Sequence, residues 1–169
     1  MATLAVDVGM TNYGMAVFRG DRLVDWCAVI TKPDKTLSRT EDYVARGHKI
    51  IAALERIYSK HKPLHLVAEM PSRGSQSAVA THAMGYSSGL TTAWAGTRNI
   101  PMATMQARKC YSLFHGVKKG VRVPTKERKE RTMQRVLKLY PQLRKIKTKK
   151  ELETISDAIQ CRVAWSKEK

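Results

Sequence analysis

The stretch LAVDVGMTNYG at residues 4–14 decides the fold, because it places an acid inside an apolar run. Its first half, with the two residues before it, predicts a β-strand over residues 2–8 whose apolar run Asp7 interrupts. A second acid, Glu69, interrupts the apolar run LVAEM at residues 66–70 in the same way. Burying an unpaired carboxylate is costly, so such a group normally takes up a proton or binds a cation. The two strands therefore predict a cation site.

Short connections around this stretch predict the first half of a β-sheet. The chain turns through polar residues at 10–13 and again at Gly20, so the first three strands form an antiparallel meander. Two further short apolar runs complete an α/β pattern. The predicted strands cover residues 2–8, 14–19, 23–30, 64–69 and 101–105.

Hydrophobic periodicity and terminal signals predict the helices between and after these strands. Ser38 with Glu41, and Thr148 with Glu151, have the spacing of a capping box. No repeat or linker interrupts the pattern, so we expect one domain over residues 1–169. The predicted helices cover residues 38–62, 76–95, 108–114 and 125–140, and a last one begins at 148.

The charge balance predicts a nucleic acid as the partner. The chain has 31 Lys and Arg against 14 Asp and Glu, a formal net charge of +17, and such an excess neutralises phosphates. Residues 108–150 hold 16 of the cations and only two acids, which favours a binding face over a uniformly solvated surface. The preferred phosphate contacts are Lys118, Lys119, Arg122, Lys126 and Lys129.

The cysteines and the hydropathy predict the compartment. Cys27, Cys110 and Cys161 are odd in number, scattered and without zinc spacing, which is typical of reduced core residues. No apolar run approaches the ~20 residues of a membrane helix, and no basic-then-apolar signal region begins the chain. We expect a soluble cytoplasmic protein without a membrane partner, in a bacterial cell or, if phage-encoded, in its host.

Two more acids lie in the last predicted helix. Glu153 and Asp157 are four residues apart, so they share one side of that helix. If the helix packs across the carboxyl end of the sheet, they meet Asp7 and Glu69. Carboxylate clusters suit Mg²⁺ or Mn²⁺, and two such ions about 3.5–4 Å apart activate water and stabilise the leaving oxygen of a phosphodiester. We expect all four acids to be catalytic metal ligands.

The ordered motifs resemble the RuvC-type Holliday junction resolvases of the ribonuclease H-like superfamily. They are DVGMTNYG at residues 7–14, Glu69 ending the fourth strand, a small-residue helix, the basic loop GVKKG at 116–120 and SDA at 156–158. The resemblance covers nearly the whole chain. It implies a five-stranded mixed sheet flanked by helices, and a symmetric dimer that nicks two opposed strands of a four-way DNA junction with Mg²⁺ or Mn²⁺.

The resemblance also assigns the acidic ligands. Asp7, Glu69 and Asp157 fall on acids of the family, which carries a fourth acid or a histidine where this chain has Thr154. Glu153, one position earlier, is our substitute for that fourth ligand by geometry.

DNA contacts are expected on both sides of the acids. Thr11, Asn12 and Tyr13 are expected to position the scissile strand, and Gly9 and Gly14 to permit close approach of a phosphate. The bacterial prototype has an aromatic side chain after the strand-four glutamate that stacks at the junction, whereas this chain has PSR at residues 71–73. Arg73 is a replacement contact. The loop residues expected to contact DNA are Ser72, Arg73 and Ser75.

The helix at residues 76–95 is the expected dimer interface. It is rich in Gly, Ala and Ser, which predicts close approach to another helix or strand. A four-way junction must be cut twice while one chain supplies one acidic cluster, so two-fold pairing supplies the second. The alternative is that this helix packs within its own core.

Three other functions compete with junction resolution. A flap-selective or fork-selective nuclease would share the acids and the basic face. A catalytically silent DNA-architectural protein would keep only the fold, and the presence of three matching acids argues against it. The phosphate loop of an actin-like sugar kinase resembles residues 7–14, but this chain lacks the length and the later glycine-rich site of those enzymes.

Overall fold

The chain folds into a five-stranded mixed sheet with helices on both faces, which confirms the predicted fold class. The computed structural model describes residues 1–70, 77–118, 121 and 123–168. Across the sheet the strand order is β3-β2-β1-β4-β5. The first three strands form the predicted antiparallel meander, while β1 pairs with β4, and β4 with β5, in parallel. The strands are β1 (Ala2–Asp7), β2 (Asn12–Arg19), β3 (Arg22–Ile30), β4 (His65–Met70) and β5 (Met102–Gln106).

The helices begin and end close to the predicted positions. Ser38 and Glu41 form both bonds of the first capping box, whereas at Thr148 the described contacts include only the bond from the Glu151 N–H. A 3₁₀ helix at Pro141–Lys145, which the sequence did not predict, follows the fourth helix. Within the described residues, no helix is long and apolar enough to span a membrane. The helices are α1 (Arg39–His61), α2 (Ala78–Thr97), α3 (Ala107–His115), α4 (Thr125–Leu139) and α5 (Lys149–Ser166).

The alternation of side chains along the strands sorts the core into two faces. Leu4 and Val6 of β1, with Leu66 and Ala68 of β4, pack with α1 and α2. The intervening residues of these strands therefore face the other helix layer, where α3, α4 and α5 lie. Asp7 is such an intervening residue, and so is its counterpart in β4.

Helix α5 is buried on more sides than its apolar stripe predicted. Ile155 and Ile159 are buried as expected, but Thr154, Ser156 and Gln160 are buried too. The reason is that α5 contacts β1 and β2 on one side and α3 and α4 on the other. This central position holds the acids of α5 above the sheet.

Two glycines that we expected to admit a phosphate instead permit internal contacts. A Cβ on Gly14 would lie 2.1 Å from the carbonyl oxygen of Thr154, so the absence of a side chain lets α5 rest on β2. A Cβ on Gly9 would lie 2.7 Å from the carbonyl oxygen of Asn12. At Gly14 the prediction of phosphate approach is wrong, because the backbone of α5 occupies the space. At Gly9, whose neighbour is the backbone of its own turn, it stays a prediction.

Candidate active site

The β-sheet register brings the first two acids side by side. Asp7 is directly opposite Glu69 in the parallel pairing of β1 with β4, and neighbouring strands run roughly 4.8 Å apart. Both side chains leave the same face of the sheet, at the carboxyl ends of their strands. On the other side of β1, Asp7 is opposite Gly14, the residue against which α5 packs.

The two acids of α5 act electrostatically on this pair. Burial, followed by the charges of Glu69, Asp157 and Glu153, raises the pKa of Asp7 well above its usual range. Burial also raises the pKa of Asp157 to about 6, with Glu153 adding to the rise. The carboxylates therefore lie close enough to disfavour one another's charge.

Glu69 carries the least satisfied polar atom of the cluster. Burial, the Cys110 thiol and the charge of Asp157 raise the pKa of its carboxyl. Its Oε2 is buried and has no hydrogen-bond partner among the described residues. A buried carboxylate oxygen in this condition is costly, and its chemistry fits a hard divalent cation.

Two cations of α4 partly offset this negative charge. Lys129 forms an ion pair with Glu153. Burial opposes the charge of Lys129, but the hydrogen bond to Glu153 and the charges of Asp157 and Asp7 prevail and raise its pKa. The charge of Arg128 partly opposes the rise in the pKa of Glu69 and of Asp157. Its guanidinium lies 5.6 Å from the Tyr111 ring centroid.

The four acids do not form a ready-made metal cage in their present rotamers. Within the described residues, no three His, Cys, Asp or Glu side chains are arranged to hold a metal ion. Carboxylates without a cation between them repel one another, and one of them pairs with Lys129 instead. The metal site at Asp7, Glu69, Glu153 and Asp157 therefore stays a prediction, which the backbone register and the mutual pKa effects favour.

A buried arginine holds the turn that follows Asp7. Arg46 of α1 is buried and donates from Nη1 to Asp42 at 2.9 Å, from Nε to the Thr31 hydroxyl at 2.9 Å and from Nη2 to the Thr11 hydroxyl at 3.1 Å. The Thr31 hydroxyl in turn donates to the carbonyl of Met10 at 2.6 Å. The turn is thus fixed from beneath. A groove of about 870 Å³ runs from Asp7 past the turn towards the first turns of α1 and α2.

The three polar residues of this turn have different roles. Thr11 is exposed above the groove. The side-chain oxygen of Asn12, in the amide orientation that satisfies both of its ends, accepts from Lys150 Nζ at 3.0 Å. Tyr13 is fully buried, and its hydroxyl bonds to that of Thr91 at 2.8 Å. The expectation that Tyr13 positions a DNA strand is therefore wrong, because its ring belongs to the core.

The predicted phosphate contacts are only partly described. Lys118 and Lys126 are exposed, whereas Lys129 is half-buried and faces the acids. Their contact with DNA stays a prediction. Ser72, Arg73, Ser75, Lys119 and Arg122 lie outside the described residues.

The small residues of α2 leave its outer face smooth and open. A Cβ on Gly85, Gly89 or Gly96 would meet no atom of the described part of the chain within 4 Å. The close approach of α1 and α2 depends instead on Gly47 of α1, where a Cβ would lie 3.0 Å from Leu90. A groove of about 620 Å³ runs along this face between the two helices.

Comparisons with known proteins identify the fold. No protein-family model matches the chain, and no curated protein matches its sequence. Solved structures do match: Thermus thermophilus RuvC in complex with a Holliday junction substrate superposes with a TM-score of 0.69 at 14% identity, covering 98% of this chain and 96% of that one. The chain has the RuvC fold.

Two further structures agree with this identification of the fold. A second Thermus thermophilus RuvC structure gives a TM-score of 0.65 at 16% identity over 99% of this chain and 96% of that one. The yeast mitochondrial Holliday junction resolvase Ydc2 gives 0.62 at 13% identity over 96% of this chain and 76% of that one. The RuvC-like fold predicted from the motifs is therefore confirmed.

Sequence reasoning missed three residues around the site. Arg46 has a signal in the sequence, because it follows Asp42 by four residues on an otherwise apolar helix face. Cys110 and Lys150 have none, since only the fold brings a thiol beside Glu69 and an ammonium beside the turn.

Proposed function

We propose that this protein is a Holliday junction resolvase, a metal-dependent endonuclease that nicks two opposed strands of a four-way DNA junction. The observation that carries the proposal is the unpartnered Glu69 oxygen among carboxylates that raise one another's pKa. An acidic cluster kept inside a chain of net charge +17 suits a cation-assisted reaction on a polyanion. The RuvC fold agrees with this chemistry.

In this proposal one domain, residues 1–169, binds Mg²⁺ or Mn²⁺ through Asp7, Glu69 and Asp157, with Glu153 as the fourth ligand. When bound, two such ions supply an activated water and stabilise the leaving oxygen of the phosphodiester. Asp7 and Glu69 come from a rigid strand pair, so their spacing is set before DNA binds. The α5 acids complete the cluster from above.

The surrounding residues bind and position the DNA in this proposal. Thr11 and Asn12, on the turn fixed by Arg46, orient the scissile strand, and the exposed Lys118 and Lys126 bind its phosphates. Ion pairing to Glu153 keeps the Lys129 ammonium beside the position of the reacting phosphate.

We propose that two copies pair through the open face of α2. Its glycines offer no side chains to clash with a partner helix, and one chain carries one acidic cluster. Gly89→Glu should place a charge in that interface and convert the dimer to a monomer in analytical ultracentrifugation. Gly20→Asn, in an exposed turn with a positive φ that Asn tolerates, is the control that should stay dimeric. A wild-type protein that is monomeric at micromolar concentrations contradicts this interface.

The deciding experiment compares substrates and variants with and without Mg²⁺. The pure protein is incubated with a labelled four-way junction, a flap and a linear duplex. We expect Mg²⁺-dependent, paired nicks in the junction, their loss in Asp7→Asn, and their retention in Asp21→Asn, whose side chain is almost fully exposed.

Each competing function predicts a different result in that assay. Preferential cutting of the flap would make the protein a flap nuclease. Tight junction binding without nicks would make it an architectural protein.

The three free cysteines agree with the reducing cytoplasm in which we place this reaction.

A further inference from the structure

The segment that joins α4 to α5 carries a dense run of positive charge. Residues 141–150, PQLRKIKTKK, contain five cations and no acid. We call this segment the α4–α5 connection. Its cations are Arg144, Lys145, Lys147, Lys149 and Lys150.

The α4–α5 connection is a fixed surface, because its apolar residues are part of the core. Leu143 is fully buried and Ile146 packs beside it. Just before it, the Tyr140 ring lies edge-on to Phe18, with the ring centroids 5.9 Å apart. The backbone continues in a 3₁₀ helix, and Thr148 then caps α5. The cations therefore project from a defined scaffold.

Most of this charge is not neutralised by the protein. Lys149 pairs with Glu130 at 3.2 Å. Within the described residues, the other four cations form no ion pair with a carboxylate. One acid, Glu151, shares the groove beside the connection. The remaining positive charge is available to a polyanion.

The connection is continuous with the candidate active site. Lys150 Nζ lies 3.0 Å from the side-chain oxygen of Asn12. Asn12 is the first residue of β2 and lies two residues before Gly14, which pairs with Asp7 in the sheet. Farther along the connection, Lys147 and Lys145 line a groove of about 560 Å³ that reaches Trp26 on the edge strand β3. The positive strip therefore starts at the turn that follows Asp7 and ends at the sheet edge.

We propose that the α4–α5 connection binds the phosphate backbone of the duplex arm next to the cut, as a second DNA surface besides Lys118 and Lys126. This inference rests on the proposed function. Lys145 Nζ lies 4.9 Å from the centre of the Trp26 ring and covers it, so the strip offers ammonium groups to phosphates rather than an open ring to bases. Such contacts are independent of sequence.

The test removes two exposed cations that form no ion pair with the carboxylates of the described residues. It changes Arg144→Gln together with Lys147→Gln. Lys49→Gln with Lys62→Gln is the control, because it lowers the net charge equally at Lys49 of α1 and at Lys62, the C-cap of α1, across the sheet from α5. Lys62 also gives up a contact with the Tyr58 ring, 4.9 Å away, which does not involve DNA. Affinity for an uncleaved four-way junction is measured in EDTA between about 50 and 200 mM salt.

The expected result follows from counterion release. Each lost phosphate contact lowers the slope of log affinity against log salt by about 0.9, so the connection variant should show a slope about 1.8 smaller than wild type. Over a fourfold change in salt this is about a tenfold smaller loss of affinity. The control should keep the wild-type slope. Hydroxyl-radical footprinting should show one arm deprotected in the connection variant alone.

Two results overturn the proposal. The first is a connection variant whose slope of log affinity against log salt equals that of wild type. The second is a control variant whose slope falls as much as that of the connection variant, since the loss of net charge alone would then explain the effect. Because binding is measured without metal, the outcome is separate from nicking. A wild-type protein that binds through the strip but never nicks would overturn the proposed function and leave the strip as a DNA surface. A wild-type protein that does not bind the junction overturns both.

Discussion

Replacing Asp157 with Asn removes one charge from the acidic cluster and should stabilise the metal-free protein. The fold raises the pKa of Asp157 from 3.8 to about 6, chiefly by burial. Because the folded state holds this proton more tightly than the unfolded state, the ionised carboxylate costs stability. The cost is absent below about pH 4, grows as the pH rises to about 6, and is complete above that value. Two units of pKa correspond to about 3 kcal/mol, an upper bound for the gain in Asp157→Asn.

Urea unfolding in EDTA at pH 8 and at pH 3.5 measures this gain. We expect the variant to be more stable than wild type by up to about 3 kcal/mol at pH 8, with little difference at pH 3.5. Asp21→Asn, at an almost fully exposed side chain, should stay within about 0.5 kcal/mol of wild type at both pH values. Wild-type or lower stability of Asp157→Asn at pH 8 would refute the claim that the buried, ionised carboxylate of Asp157 costs stability.

Three further results are expected from the same geometry. Gly14→Ala should lower the stability by about 3 kcal/mol or more and abolish nicking, since its Cβ collides with the backbone of α5. Gly20→Asn, in an exposed turn whose positive φ Asn tolerates, should stay close to wild type in thermal unfolding. Arg46→Met should destabilise the protein, because it removes the ion pair with Asp42 and the hydrogen bonds to Thr31 and Thr11, and adding Asp42→Leu should recover part of that loss in chemical denaturation. Single-turnover nicking should fall as the pH drops below about 6, because protons then compete with the metal for the acids; a flat rate from pH 5 to pH 8 would contradict this.

The sheet was predictable because the signals that define it are local. Short turns fix the meander, and the apolar runs around Asp7 and Glu69 mark the two strands whose register pairs these acids. Alternation with period two then places both carboxylates on one face. The first capping box was equally legible, because Ser38 and Glu41 satisfy each other within one turn.

The contacts around the site were less predictable because they join distant segments. Gly14 suggested room for a phosphate, but only the packing of α5 reveals that Thr154 fills that room. In the sequence Tyr13 resembled a polar turn residue, yet its hydroxyl is hydrogen-bonded to Thr91 of α2, 78 residues away. The sequence shows the α4–α5 connection only as part of a general basic region. The packing of Leu143 and Ile146 in the core is what distinguishes it from the cations of α4.

The most direct test of the central claim is strand cleavage by the Glu69→Gln variant on a four-way junction with Mn²⁺. Junction binding is measured first, to show that the variant binds the junction as tightly as wild type does. The wild-type protein should nick two opposed strands only when the metal is present, and the variant should bind the junction but leave both strands intact. Cleavage by the variant at the wild-type rate, or cleavage by wild type in EDTA, would contradict a carboxylate-held metal as the source of the activity.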